Sequence, residues 1–99
     1  MRILKSEKFE QWYCKLDMSL RVQVDVRLTR ILVDSHFGDF KKLGNIFELR
    51  FRSGLRVYYA YSNQELILLL NGGGKNSKRK QSKDIDRAKM IYQEYLGGK

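Results

Sequence analysis

The spacing of apolar residues predicts two helices in the first third of the chain. Four apolar residues recur at i, i+3, i+4 and i+7: Phe9, Trp12, Tyr13 and Leu16. This spacing places side chains on one face of a helix, and Ser6 is a favourable N-cap in front of it. A second helix is predicted from a cap at Asp17 or Ser19 to about Asp34. Its apolar stripe consists of Leu20, Val24, Leu28, Ile31 and Leu32. We therefore expect a helical hairpin that packs against a sheet.

From residue 47 the apolar period changes to two, which is typical of β-strands. Residues 47–52 and 56–61 alternate in this way, and residues 65–71 follow after a turn at Ser62-Asn63. The last of these segments is apolar on both faces from Leu66 to Leu70, as expected of a central strand. The three segments predict an antiparallel meander.

The remaining segments complete the predicted fold. Arg2–Lys5 is a candidate edge strand, and residues 35–45 are expected to form a loop because Gly38 and Gly44 interrupt the pattern. Ser82 is expected to cap a final helix. Residues 1–99 thus predict a single α+β domain, in which two N-terminal helices and a C-terminal helix lie on one face of a small antiparallel sheet. The sheet would contain a short N-terminal strand and the three-strand meander.

The turn between the first two meander strands decides which side chains share a face. A three-residue loop over residues 53–55 pairs Arg52 with Arg56 and Arg50 with Tyr58. A two-residue turn would mix charged and apolar side chains on each face, and a one-residue slip would bury arginines. The preferred register places five residues on one face: Glu48, Arg50, Arg52, Arg56 and Tyr58.

The net charge of the chain indicates what kind of partner this face could bind. Twenty Lys and Arg residues against 11 Asp and Glu residues give a net charge of +9, which attracts polyanions. Nucleic acid is the favoured partner; a ribosome, an anionic membrane or an acidic protein is an alternative, as is a basic surface that serves solubility.

With one cysteine and one histidine, no internal disulfide, zinc site or cofactor is expected. The longest apolar run is too short for a membrane span, and no signal peptide is apparent, so we expect a cytoplasmic protein.

Arginines facing each other across a hairpin destabilise it slightly, and a bound polyanion would offset that cost. Arginine pairs with phosphate in a bidentate manner, and Tyr58 could stack on a base. The alternative interpretation is a solvent-facing sheet with salt bridges to Glu48. The face is therefore a candidate RNA-binding surface.

Three runs of residues carry a resemblance to a known family. They are residues 47–51 (FELRF), 54–59 (GLRVYY) and 68–75 (LLLNGGGK), and the similarity extends from Phe9 to Leu96. In order and spacing they resemble the RelE/ParE toxin superfamily, and within it the HigB-like branch of phage-derived addiction module killer proteins. The resemblance implies a type II toxin that cleaves mRNA, typically on the translating ribosome. It also implies a cognate antitoxin, often a helix-turn-helix protein, with operator DNA bound only through the toxin–antitoxin complex.

The resemblance also implies roles for individual residues. Arg50, Arg56 and Lys75 match the basic catalytic positions of the family, whereas Glu48 stands where a further basic residue is common. Glu48 is thus a candidate general base or a structural partner of an arginine. Six residues are expected to bind RNA: Arg52, Tyr58, Lys41, Lys42, Lys78 and Arg79. The family's late tyrosine or histidine base is missing between Gly74 and Tyr92, which leaves the general base and acid unassigned.

Two other functions fit the same residues. A ParE-like inhibitor of DNA gyrase would share the fold without the ribonuclease activity. A non-catalytic module would bind RNA or the ribosome with strong salt dependence and leave RNA intact. A metal-dependent nuclease is not expected, because Glu48 has no partner carboxylate on its face.

Overall fold

A computed structural model describes residues 1–74 and 78–98. The elements follow in the order β1 (Arg2–Lys5), α1 (Glu7–Cys14), α2 (Met18–Asp34), β2 (Phe40–Leu43), β3 (Ile46–Arg50), β4 (Arg56–Asn63), β5 (Leu66–Gly73) and α3 (Lys78–Gly97). The five strands form one sheet in the order β1-β5-β4-β3-β2. The predicted α+β class is confirmed.

The first two helices begin at the predicted caps. The Ser6 hydroxyl accepts a hydrogen bond from the backbone N–H of Phe9 at 3.0 Å. Asp17, and not Ser19, caps α2, since its carboxylate accepts from the N–H of Leu20 at 3.0 Å. Each cap satisfies a backbone donor that has no partner within its helix.

The sheet differs from the expectation in two ways. First, β1 pairs with β5 in parallel, with Ile3 opposite Ile67, so the sheet is mixed. Second, the predicted loop over residues 35–45 contains β2, which pairs with β3 through a turn at Gly44, whose φ is +71°. The sequence of β2, Phe-Lys-Lys-Leu, does not alternate, and this edge strand is mostly exposed. Its pairing with β3 therefore leaves no periodic signal in the sequence.

Helices cover both faces of the sheet, and the expectation that all three lie on one face is wrong. On the first face, α1 and α2 pack against strand residues that include Leu49, Val57 and Ile67. On the second, Ala88 of α3 packs against residues that include Leu68. The strand β5 is apolar on both faces because each face meets a helix layer.

The third helix begins earlier than predicted. It extends from Lys78, so that Ser82 is an exposed residue within it and not its cap. The basic residues at its start have no apolar periodicity that would mark a helix. Among the described residues, no helix is both long and apolar enough to cross a membrane.

Candidate functional site

The hairpin of β3 and β4 places Arg50 directly opposite Arg56 and Glu48 directly opposite Tyr58. The predicted pairing of Arg50 with Tyr58 is therefore wrong. The register differs from the predicted one by two residues, so the predicted sharing of a face by these four side chains is confirmed. The loop is longer than expected because Leu55 is buried in the core, where it is 5% exposed, and cannot lie at the tip of a tight turn.

Glu48 lies at the centre of a small polar group on this face. Its carboxylate oxygens are 3.8 Å from Nε of Arg50 and 3.9 Å from Nε of Arg56. Gln81 of α3 donates a hydrogen bond to Glu48 Oε2 at 3.1 Å. We call these four residues the Glu48 cluster. Only 2% of the Glu48 side chain is exposed, so its charge acts on the two arginines in a poorly solvated environment.

The two arginines of the Glu48 cluster differ in exposure. The side chain of Arg50 is 43% exposed and that of Arg56 is 14% exposed. Arg56 Nη1 donates to the carbonyl oxygen of Leu55 at 3.0 Å, which holds the guanidinium at the start of β4. Arg56 Nε is buried and has no hydrogen-bond partner among the described residues. The cluster thus holds one anchored cation beside one that solvent reaches freely.

Tyr58 does not lie where the sequence suggested. Its side chain is fully buried under α3 and belongs to the core on that face. Burial, reinforced by the neighbouring Glu48 carboxylate, raises the pKa of the Tyr58 phenol above its ordinary value. In this conformation Tyr58 is inaccessible for base stacking, and we withdraw its expected contact with RNA.

The other expected RNA contacts lie around the cluster. Arg52 is exposed in the hairpin loop, and Lys41 on the edge strand β2 is the cross-strand partner of Glu48 and shares its face. Lys42, the next residue, points to the opposite face. Lys78 and Arg79 are exposed in the first turn of α3. Lys75 lies outside the described residues.

Gln81 is the member of the Glu48 cluster that sequence reasoning missed. The sequence around Gln81 has no apolar period, and nothing in it indicates that a helix carries Gln81 onto Glu48. The amide ties the beginning of α3 to β3, on the face of the sheet that α3 covers. The position of α3, and hence the burial of Glu48, depends partly on this contact.

The geometry suits charge stabilisation better than proton transfer. Two guanidinium groups at the loop end of a hairpin can bind a phosphate and stabilise charge that develops on it. Among residues 1–74 and 78–98, no three His, Cys, Asp or Glu side chains are grouped so as to hold a metal ion. The site therefore has the parts of an anion-binding centre.

Comparison with known proteins establishes the family. The profile of the family described as "Phage derived protein Gp49-like (DUF891)" matches residues 12–93. The chain belongs to this Gp49-like family. An uncharacterized protein of Haemophilus influenzae (strain KW20/Rd) is 38% identical over 90 residues, which cover 87% of each chain.

Solved structures show which fold this Gp49-like chain shares. The isolated RelE toxin of E. coli superposes with a TM-score of 0.65 at 19% identity, covering 87% of this chain and 96% of that one. A chain of the RelB–RelE antitoxin–toxin complex from Methanococcus jannaschii gives a TM-score of 0.64 at 15% identity, covering 83% of this chain and 96% of that one. At such identities the likeness establishes the fold alone, and the RelE-like fold that the resemblance to the RelE/ParE superfamily implies is confirmed. The HigB-like branch stays a prediction.

Proposed function

We propose that this Gp49-like protein is the toxin of a type II toxin–antitoxin system and acts as a metal-independent endoribonuclease on mRNA at the ribosome. The observation that carries the proposal is the pair Arg50 and Arg56, directly opposite each other at the loop end of the hairpin and held by the buried Glu48. The RelE fold and the net charge of +9 support the same conclusion.

In the proposed reaction the 2′-hydroxyl attacks the adjacent phosphate and the 5′-oxygen leaves. Arg50 and Arg56 neutralise the negative charge that grows on the phosphorane oxygens, and such preorganised donors can each contribute several kcal/mol. Lys75 is retained as a third cation of this site on the resemblance alone. Lys41, Arg52, Lys78 and Arg79 bind the backbone on either side. Lys42, on the opposite face of β2, contributes to the basic surface more remotely.

The proposed partner is a cognate antitoxin, in line with the RelB–RelE complex that shares the fold. A groove of about 660 Å³ between α2 and the hairpin loop is lined by Val22, Val26, Arg30, Arg50 and Arg52, among others. Val22 and Val26 are 52% and 48% exposed. An antitoxin segment with apolar and acidic side chains would suit this groove. Because Arg50 lines it, such a segment would also cover the proposed site.

One experiment separates this function from its rivals. We expect the purified protein, added to a translating extract, to produce new 5′ ends within the translated mRNA that primer extension detects. A gyrase inhibitor would instead block DNA supercoiling and leave the message intact. Inhibition of translation with intact mRNA and unaffected supercoiling would indicate a binding module without catalysis, and the ribonuclease proposal would be abandoned.

A further inference from the structure

A second cleft lies on the far side of β5 from β4. It has a volume of about 600 Å³, within the range of roughly 300–1,000 Å³ typical of small-molecule sites. Its floor is formed by Asn71 and Gly72 of β5. Among the described strands, β1 pairs only with Leu66–Leu69 of β5, so the floor residues have a strand neighbour on one side only. The open side of this strand end faces the cleft.

The two walls of the cleft supply an aromatic ring and three cations. From the α1 side come Lys8, Trp12 and Lys15, which lie one helical turn apart on one face. From α3 comes Arg87. No ion pair is recorded for these three cations among the residues that the structure describes. Glu94 also lines the cleft, which leaves its lining with a net positive charge.

Trp12 is held in place by the floor. A Cβ atom at Gly72 would lie 2.5 Å from each of three indole atoms, so one face of the ring rests directly on the Gly72 backbone. The ring is only partly buried and forms part of the cleft surface. An aromatic side chain beside cations is the combination that binds single-stranded nucleic acid, because the base stacks on the ring while the phosphate meets the cations.

Asn71 adds a polar requirement to the floor. The side chain is 4% exposed, and its amide nitrogen donates to the backbone oxygen of Asp84 at 3.2 Å. This hydrogen bond fixes the orientation of the amide, and the carbonyl oxygen Oδ1 then has no partner among the described residues. An unsatisfied buried acceptor is costly, and an N–H donor of a bound nucleobase that reached Oδ1 from the cleft would remove that cost.

We propose that this cleft, which we call the Trp12 cleft, binds a nucleotide of single-stranded RNA. The base stacks on Trp12 and the adjoining phosphate contacts Lys8, Lys15 and Arg87. This proposal rests on the proposed ribonuclease function. The cleft is close to the proposed active site, because Gly73, next to the floor residue Gly72, is the cross-strand partner of Arg56. The Trp12 cleft would bind a nucleotide that flanks the cleaved phosphate and thereby influence where RNA is cut.

The test uses Trp12, the single tryptophan of the chain, as its own probe. The full-length protein is titrated with AMP, GMP, CMP and UMP, and separately with inorganic phosphate, while tryptophan fluorescence is recorded. We expect saturable quenching by at least one nucleotide and none by phosphate alone. Equal responses to nucleotides and phosphate, or no response to any nucleotide, would overturn the proposal.

Charge variants locate the binding. Replacing Lys8 and Lys15 together by alanine should weaken nucleotide binding about tenfold, and Arg87→Ala about threefold, because each removes an exposed phosphate contact. Lys89→Ala is the matched control for Arg87→Ala, since each removes one positive charge from an exposed position of α3 and Lys89 does not line the cleft. If the cleft variants bind as tightly as Lys89→Ala, the Trp12 cleft is not the site.

The same variants separate this proposal from the ribonuclease proposal. In the translating extract, the Lys8/Lys15 variant should still cleave RNA but need a higher substrate concentration and show altered cleavage positions. Nucleotide binding without any RNA cleavage by the unaltered protein would support the cleft and overturn the ribonuclease. Cleavage with unchanged positions and unchanged concentration dependence would support the ribonuclease and overturn the cleft.

Discussion

The carboxylate of Glu48 contacts both Arg50 and Arg56. Its oxygens lie 3.8 Å from Nε of Arg50 and 3.9 Å from Nε of Arg56. Two arginines opposite each other on a hairpin repel, and a buried negative charge between them offsets that repulsion. The side chain is almost inaccessible, so its carboxylate is poorly placed to take a proton from a ribose hydroxyl. We therefore assign Glu48 a positioning role in the proposed reaction.

The variant Glu48→Gln tests that role. It keeps the shape and the contact with Gln81 but removes the charge, and we expect the free energy of unfolding to fall by about 1–3 kcal/mol. Cleavage should slow about tenfold, because misplaced cations stabilise the transition state less well. The dependence of the cleavage rate on pH should keep its shape. If the variant instead loses the rise of rate with pH, Glu48 is the general base.

Asp84 gives stability a dependence on pH. Burial raises the pKa of its carboxyl, so the folded state binds a proton over a pH range in which the unfolded chain has lost it. Stability contributed by this group is present below the unfolded pKa, about 3.9, and falls as the pH rises through the folded value. Asp84→Asn should remove this loss and be more stable than the unaltered protein at pH 7.

Urea denaturation at pH 4 and pH 7 measures the effect. In the unaltered protein, Asp84 lowers the unfolding free energy at pH 7 relative to that at pH 4. Asp84→Asn lacks this decrease, so its unfolding free energy at pH 7, relative to its value at pH 4, should be higher than that of the unaltered protein. Asp86→Asn, an exposed change in the same helix, should leave the difference almost unaltered. Equal behaviour of the two variants would contradict the account.

At the scale of elements, the sequence predicted those parts that carry periodic signals. The first two helices have an apolar stripe and an N-terminal cap, so the start of the first at Ser6 was predictable and that of the second was narrowed to Asp17 or Ser19. The edge strand β2 has no alternation, and the start of α3 is a run of basic and polar residues without an apolar face. Their positions are determined by contacts distant in sequence, such as that between Gln81 and Glu48.

The contact between α1 and β5 depends on a glycine. A Cβ at Gly72 would collide with the Trp12 indole at 2.5 Å, so Gly72→Ala should displace the ring and lower the free energy of unfolding by about 1–3 kcal/mol. Chemical denaturation measures this. Gly97→Ala at the end of α3 is the control, because no heavy atom lies within 4 Å of its added Cβ. Equal stability of the two variants would refute the collision.

At the scale of the whole molecule, the sequence predicted the basic character but not its arrangement. The register of the hairpin depends on the burial of Leu55 in the core, which no local pattern records. The covering of Tyr58 depends on α3 packing on the second face. The shared face of Glu48, Arg50 and Arg56 was nevertheless predictable, because strand side chains alternate and a shift of two residues preserves the face.

The net charge of +9 predicts that RNA binding weakens with salt. The logarithm of the affinity should fall linearly with that of the salt concentration, with a slope of about −0.7 for each phosphate contacted on a single strand. Replacing Lys78 and Arg79 by alanine should make the slope shallower by about 1.4 if each contacts one phosphate. Fluorescence anisotropy with a labelled oligoribonucleotide measures the slope, and an unchanged slope would exclude these two residues from the interface.

Cleavage of a translated mRNA by Arg56→Ala is the most direct test of the central claim. The account predicts a folded protein, by circular dichroism, whose cleavage is slower by about 100-fold to 1,000-fold and which no longer arrests growth. Arg2→Ala, which removes the same charge from an exposed position in β1, should cleave as the unaltered protein does. Full cleavage and toxicity in Arg56→Ala would contradict the assignment of the hairpin arginines as the active site.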